Sequence, residues 1–190
     1  MALALQCTGG GILVPIFINS VPVTLGTDAY PICIFISFLL HTYMPIVRDV
    51  CKISPIFKTA MIILYECQRA YVVCKLTKLA GANIPPSDFS FAVIGPIICG
   101  GIGGCGGAFL PLSKGLDPIK NGLAQPMYSA LIAAAFFHLF LHTSLSDGVV
   151  NAADKARVLI VVFFIALNLS SAFPTSKPAP TTRNGKKKRK

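Results

Sequence analysis

The sequence predicts an all-α, polytopic membrane bundle of about six transmembrane helices in inverted three-helix repeats, with two helices broken by glycine clusters. Three observations predict it. Hydrophobic residues make up 54% of the 190 and charged residues only 13%, with a mean hydropathy of +0.69. Six apolar stretches follow one another through short polar connections, and the start of the chain resembles its middle after a shift of 96 residues. A water-soluble globule of this size lacks the polar surface to cover so much apolar content. At roughly 20 residues per crossing, six spans consume nearly the whole chain.

The stretches lie at about 2–18, 29–47, 54–80, 91–112, 125–145 and 156–173, separated by connections bearing Asn, Pro, Asp and Lys. The first holds Gly9, Gly10, Gly11 and Pro15, and the fourth holds Pro96, Gly100, Gly101, Gly103, Gly104, Gly106, Gly107 and Pro111. Glycine and proline both weaken a helix, so neither stretch reads as a plain helix facing lipid. The third is interrupted by Lys58, Glu66, Arg69, Lys75 and Lys78. Glu66 and Arg69, three apart, share one helix face and read as a buried ion pair. Ionisable groups at membrane depth are expensive, which makes the pair a functional candidate; a packed or interfacial structural pair is the plainer alternative.

Under the 96-residue shift, Gly10-Gly11-Ile12-Leu13-Val14-Pro15 overlies Gly106-Gly107-Ala108-Phe109-Leu110-Pro111, while Pro22 meets Pro118 and Gly26 meets Gly122. Both copies run on into an apolar helix with a His-Thr pair, His41-Thr42 and His142-Thr143. Equivalent copies three crossings apart must be inverted in the membrane, a design in which paired discontinuous helices meet at a permeation or binding path. The division expected is a transmembrane channel domain over 1–175, with a first repeat at about 1–47, a second at about 54–145 and a last helix at about 156–173. A disordered basic tail follows over 176–190. The first copy has no counterpart of the third stretch, so a preceding helix is expected to be missing.

The formal net charge of +10 does not point to nucleic acid, because seven of the seventeen basic residues lie at or beyond Lys177. No basic stripe with interleaved aromatics precedes them. By the positive-inside rule the tail is cytoplasmic, as are the connections with Arg48 and Lys52 and with Lys114 and Lys120, whereas Lys75, Lys78, Lys155 and Arg157 run against that orientation. Met1 to Gln6 lacks the basic start of a signal peptide. Seven scattered cysteines form no CxxC pair, so neither a zinc site nor a disulfide framework is expected. His138 and His142 share a face, but no third ligand lies nearby in sequence, and a packed pair is the better reading than a metal site. The chain has no GxSxG, no HExxH and no carboxylate pair, and an enzyme is not expected.

A glycine-rich helix, a charged helix with Glu and Arg three apart, a second glycine-rich helix, an apolar helix and a basic tail together resemble the trimeric intracellular cation channel family. The resemblance covers about Ala2 to Ala172 and implies the second to seventh helices of a seven-helix fold. The family's Lys-Glu-Val-x-Arg run is matched by Tyr65-Glu66-Cys67-Gln68-Arg69, with Tyr65 in the place of Lys. The family's fifth helix also carries a Lys before its glycine pair, and Gly100 to Gly107 holds none. The resemblance implies phosphatidylinositol bisphosphate as a bound lipid, with Arg69 and Lys75 as headgroup candidates, and no other cofactor. It further implies a homotrimer in endoplasmic, nuclear or sarcoplasmic reticulum membranes that passes potassium during calcium release. Lys187-Lys188-Arg189-Lys190 resembles a di-lysine retrieval signal, and contact with anionic lipid is its other reading.

The expected ion path lies where glycines let the backbone open and free carbonyl oxygens for a dehydrating potassium ion. Gly10, Gly11, Pro15, Gly103, Gly104, Gly106, Gly107 and Pro111 are the residues expected to shape it. The alternative for these glycines is close helix packing. Two further function classes fit the same pattern: a small-solute secondary transporter, and a non-conducting membrane scaffold if the first helix is truly missing.

Overall fold

The computed structural model describes residues 2–86, 88, 91–110, 113, 117–120 and 122–172. Its α-helices are α1 (Ala2–Phe17), α2 (Val23–Gly26), α3 (Ala29–Tyr43), α4 (Pro45–Ile53), α5 (Pro55–Asn83), α6 (Ile94–Cys105), α7 (Gln125–His142) and α8 (Ala152–Ala172). Short 3-10 turns lie at Gly106–Phe109, Asp117–Ile119 and Ser144–Ser146. The six apolar stretches of the sequence are α1, α3 and α5 to α8. Pro111 and the basic tail over 176–190 lie outside the described residues.

Local chemistry sets the breaks. Pro45 and Pro55 stand in the first turns of α4 and α5, where a residue without an N–H is tolerated but cannot prolong the helix before it. Met44 (φ −117°, ψ 80°) and Ser54 (φ −81°, ψ 112°) are therefore non-helical joints that divide α3, α4 and α5. The Ser54 hydroxyl accepts a hydrogen bond from the Phe57 N–H at 3.3 Å, an N-cap for α5. At the other end of α1, Ser20 donates to the Pro15 carbonyl at 2.7 Å and Asn19 to the Ile16 carbonyl at 3.3 Å, with Asn19 at φ 51°. These are the two bonds and the left-handed residue of a Schellman stop.

One expectation is corrected here. Two glycine-broken helices were expected, but α1 runs unbroken through Gly9, Gly10, Gly11 and Pro15. Only the second segment breaks, where α6 ends at Cys105 and the chain tightens into the 3-10 turn from Gly106. The physical reason is that glycines can serve close approach instead of backbone opening, and most of these do.

The core is built around α6. On its α7 side, a Cβ added at Gly100 would lie 2.7 Å from the Ala134 Cβ, and one at Gly104 would lie 2.7 Å from the Ala130 Cβ. Small residues four apart on each helix thus meet in antiparallel order, a small-xxx-small contact. On its α5 side, a Cβ at Gly103 would come within 2.8 Å of Leu76 Cδ1, and one at Gly104 within 2.7 Å of Val73 Cγ2. A second cluster closes α5, α7 and α8 around Ala70, Val73, Phe137, Ile160 and Phe164.

Among the described residues no helix is long and apolar enough to cross a membrane. α1, α3 and α6 are apolar but hold only 16, 15 and 12 residues. α5, with 29 residues, is long enough but carries Lys58, Glu66, Arg69, Lys75 and Lys78. The short and charge-interrupted stretches expected from the sequence are thus present, and the polar groups of α5 and α7 are used inside the bundle.

Candidate functional site

The two glycine segments meet backbone to backbone. A Cβ added at Gly9 would fall 2.7 Å from the Gly107 Cα, and one at Gly10 would strike the Gly103 carbonyl oxygen. From the other side, a Cβ at Gly106 would come within 2.6 Å of the Gly10 nitrogen. Only residues without side chains allow two backbones this near. Gly9 faces Gly106 and Gly107, Gly10 faces Gly103, and Val14 and Ile18 share a buried cluster with Cys99, so the two segments run antiparallel. Gly11 and Pro15 belong to the same helix, with Pro15 fully buried, but Gly11 looks toward Val23 instead of the crossing.

Beside the crossing lies a buried polar network. Arg69 Nη1 pairs with Glu66 Oε2 at 3.2 Å, and the two residues are 6% and 2% exposed. Arg69 Nε donates to the Gly104 carbonyl at 3.0 Å, while Nη2 donates to the Pro126 carbonyl and to Ser129 Oγ, the latter at 2.9 Å. Its guanidinium also sits 4.2 Å from the centroid of the Phe164 ring, a favourable stack of a cation on an aromatic face. Asn168 Nδ2 donates to the second Glu66 oxygen at 2.8 Å. One arginine thus ties α5 to the end of α6, the start of α7 and the middle of α8. A planar guanidinium with donors on all three nitrogens can do this, whereas an ammonium cannot.

Lys75, the other headgroup candidate, is exposed, with its ammonium 5.7 Å from the Tyr71 ring. Six residues beyond Arg69, it points elsewhere on α5, and the structure does not bring the two together. Tyr65 is also exposed. His138 is buried with Nε2 against the Ala92 carbonyl, and its ring centroid lies 4.6 Å from that of His142, which stacks on Phe91 at 4.8 Å. That arrangement locks the entry to α6 onto α7. Among the described residues no group of three His, Cys, Asp or Glu comes together to hold a metal ion.

The chain as a whole is similar in fold to a solved structure. That structure is a trimeric intracellular cation channel from C. elegans in the absence of Ca2+, with a TM-score of 0.71 and 22% identity over 93% of this chain and 77% of that one. The chain has the trimeric intracellular cation channel fold. Neither a family model nor a curated protein matches the sequence. Within the channel fold, the likeness read from Glu66, Arg69 and the glycine segments therefore holds at the level of architecture.

Sequence reasoning missed Asn168, Ser129 and the Pro126 carbonyl as partners of the Glu66–Arg69 pair. Asn168 had a signal: it is the single amide in the apolar run Val158–Leu169, where a polar group needs a partner. Ser129 and the carbonyls had none. Asn168→Leu is expected to lower stability by about 1–2 kcal/mol, since it removes a bond to a charged oxygen. Unfolding of the purified chain in mixed detergent micelles measures it, and no loss would place Asn168 outside the network.

Proposed function

We propose that this chain is a monovalent cation channel of an intracellular membrane, passing potassium as counter-current during calcium release from the endoplasmic or sarcoplasmic reticulum. It works as a homotrimer with its C-terminus on the cytoplasmic side. The observation that carries the proposal is the antiparallel backbone crossing of Gly9 and Gly10 with Gly103, Gly106 and Gly107 in a fold shared with a known cation channel.

Three features support the membrane setting. The polar groups of the Glu66–Arg69 network are turned inward and satisfied there, as low-dielectric surroundings require. The outer faces of α3, α5, α7 and α8 expose Phe35, Phe38, Leu64, Ile132 and Leu159, large apolar side chains that hydrocarbon would cover. A 16-residue helix such as α1 reaches roughly 24 Å. That is short of a hydrocarbon core of about 30 Å, a mismatch that bilayer thinning absorbs.

In this reading the crossing is the constriction. When α1 and the α6 end separate, backbone carbonyl oxygens around Gly10 and Gly103 to Gly107 face the gap, and carbonyls suit a potassium ion losing its water. The 3-10 turn leaves helical bonding incomplete there, with Leu110 N–H to the Gly107 carbonyl at a long 3.4 Å. A phosphatidylinositol bisphosphate headgroup near Arg69 and Lys75 belongs to the same proposal, although Arg69 also serves the internal network through Glu66, Ser129 and the Gly104 and Pro126 carbonyls.

Reconstitution of the full chain into planar bilayers tests the proposal: unitary potassium currents are expected, together with an altered conductance in Gly107→Leu. Potassium flux that saturates and cycles at carrier rates, or solute uptake without current, would make the protein a transporter. Unchanged conductance in Gly107→Leu would remove the crossing from the ion path.

A further inference from the structure

α4 stands apart from the bundle, and its residues are sorted by chemistry. Over its nine residues, Ile46, Val50 and Ile53 fall within about 60° of arc, the register positions of the basic residues 48 and 52 lie about 100–160° away from them, and Asp49 stands between the two sets. Val47 and Cys51 widen the apolar arc. Ile46, Val50 and Ile53 are 77%, 54% and 80% exposed. The helix packs chiefly against its chain neighbours α3 and α5, held off both by the joints at Met44 and Ser54.

What covers this apolar face follows from its neighbours. α3 buries none of its residues, and the first turns of α5 expose Ile56 and Met61. The apolar arc of α4 is therefore continuous with the outer surfaces of two helices that the membrane reading places in hydrocarbon. The rest of its circumference holds the two basic positions 48 and 52 and the acidic position 49. The medium that satisfies both arcs is a boundary with acyl chains on one side and hydrated, negatively charged headgroups on the other.

We propose that α4 lies flat in the headgroup boundary of an anionic leaflet, with Ile46, Val50 and Ile53 among the upper acyl carbons and the helix arc of the basic positions 48 and 52 on the headgroup side. The proposal rests on the membrane reading of the bundle. α5 begins directly after the Ser54 joint and runs unbroken to Glu66 and Arg69.

The chain has no tryptophan, so single substitutions make clean reporters. Ile53→Trp places one on the exposed apolar arc of α4, and Ile132→Trp places one on the outer face of α7. Both variants of the full chain go into phosphatidylcholine vesicles with or without phosphatidylserine, and quenching by brominated acyl chains is compared with quenching by aqueous iodide. Circular dichroism confirms the helical content of each. The expected result is bromolipid quenching of both reporters, with that of Ile53→Trp strengthened by phosphatidylserine. Each basic residue near an anionic surface favours the bound state about fivefold, so Arg48→Gln with Lys52→Gln should abolish the phosphatidylserine effect.

Iodide access to Ile53→Trp beside bromolipid quenching of Ile132→Trp would leave the bundle in the membrane and overturn the proposal. So would shielding of Ile53→Trp from both quenchers, which means that a protein surface covers α4. Indifference to phosphatidylserine would overturn the anionic selectivity. Iodide access to Ile132→Trp would instead overturn the membrane reading itself.

Discussion

Replacing Gly10 by alanine is expected to destabilise the protein by about 3 kcal/mol or more, at the upper end of what overpacking costs. The added Cβ would strike the Gly103 carbonyl oxygen and lie 2.9 Å from the Gly103 Cα. Both are backbone atoms, which cannot swing aside as the end of a side chain can. Gly106→Ala meets the same obstacle from the other helix, with its Cβ 2.6 Å from the Gly10 nitrogen. Gly11→Ala is the internal control. It lies in the same helix, but its Cβ would sit 3.4 Å from the Val23 Cβ, an ordinary contact. Alanine is intrinsically the better helix former by about 1 kcal/mol, so Gly11→Ala should be neutral or stabilising. Unfolding midpoints in mixed micelles compare the three. Equal midpoints for Gly10→Ala and Gly11→Ala would mean that α1 and α6 do not touch where they are drawn together here.

Arg69→Met is expected to cost about 3–5 kcal/mol, the loss typical of removing one partner from a buried ion pair. It would leave Glu66, 2% exposed, with Asn168 as its remaining partner among those described above, and take the Arg69 donors from the Gly104 and Pro126 carbonyls. Much of the loss is the stranded carboxylate. Glu66→Leu combined with Arg69→Met should therefore recover part of it, and a double-mutant cycle measures how much. Arg69→Lys should fall between, because one ammonium cannot reach partners on three helices at once. If Arg69→Met instead folds as stably as the unaltered chain while binding of phosphatidylinositol bisphosphate disappears, Arg69 is a headgroup ligand and the internal network is wrong.

Much of the architecture was legible in the sequence because it depends on chemistry local to the chain. The helices followed from apolar runs, most of their ends from the Asn-, Pro-, Asp- and Lys-bearing connections, and the meeting of two glycine segments from the 96-residue repeat. What the glycines do there was not legible. A glycine cluster weakens a helix and also permits close approach, and only the neighbour decides which property is used. At Gly9 and Gly10 the neighbour is another glycine-rich backbone, which holds α1 whole. At Gly106 the backbone tightens into a 3-10 turn. The pairing of Glu66 with Arg69 was readable from their spacing, whereas Asn168, 102 residues from Glu66, came to the site only through the folding of α8. α4 was hidden for another reason: its apolar half merged with the preceding run, and the break at Met44 was masked by continuous hydropathy.

The side of α6 from Gly100 to Gly106 that meets α1, α5 and α7 has almost no rotamers. Most packed helices accommodate small displacements by letting side chains hop between wells, so their shifts are graded and quick. Here α6 itself offers bare main chain, and what softness remains lies in partner side chains such as Val73, Leu76 and Leu131. Any travel of α6 must be a slide of the whole rod from one seating to the next, with Thr77, Ala130 and Ala134 acting as the teeth it passes. Such a part has few positions and sharp transitions between them, so its kinetics should resolve into discrete levels and not a continuum.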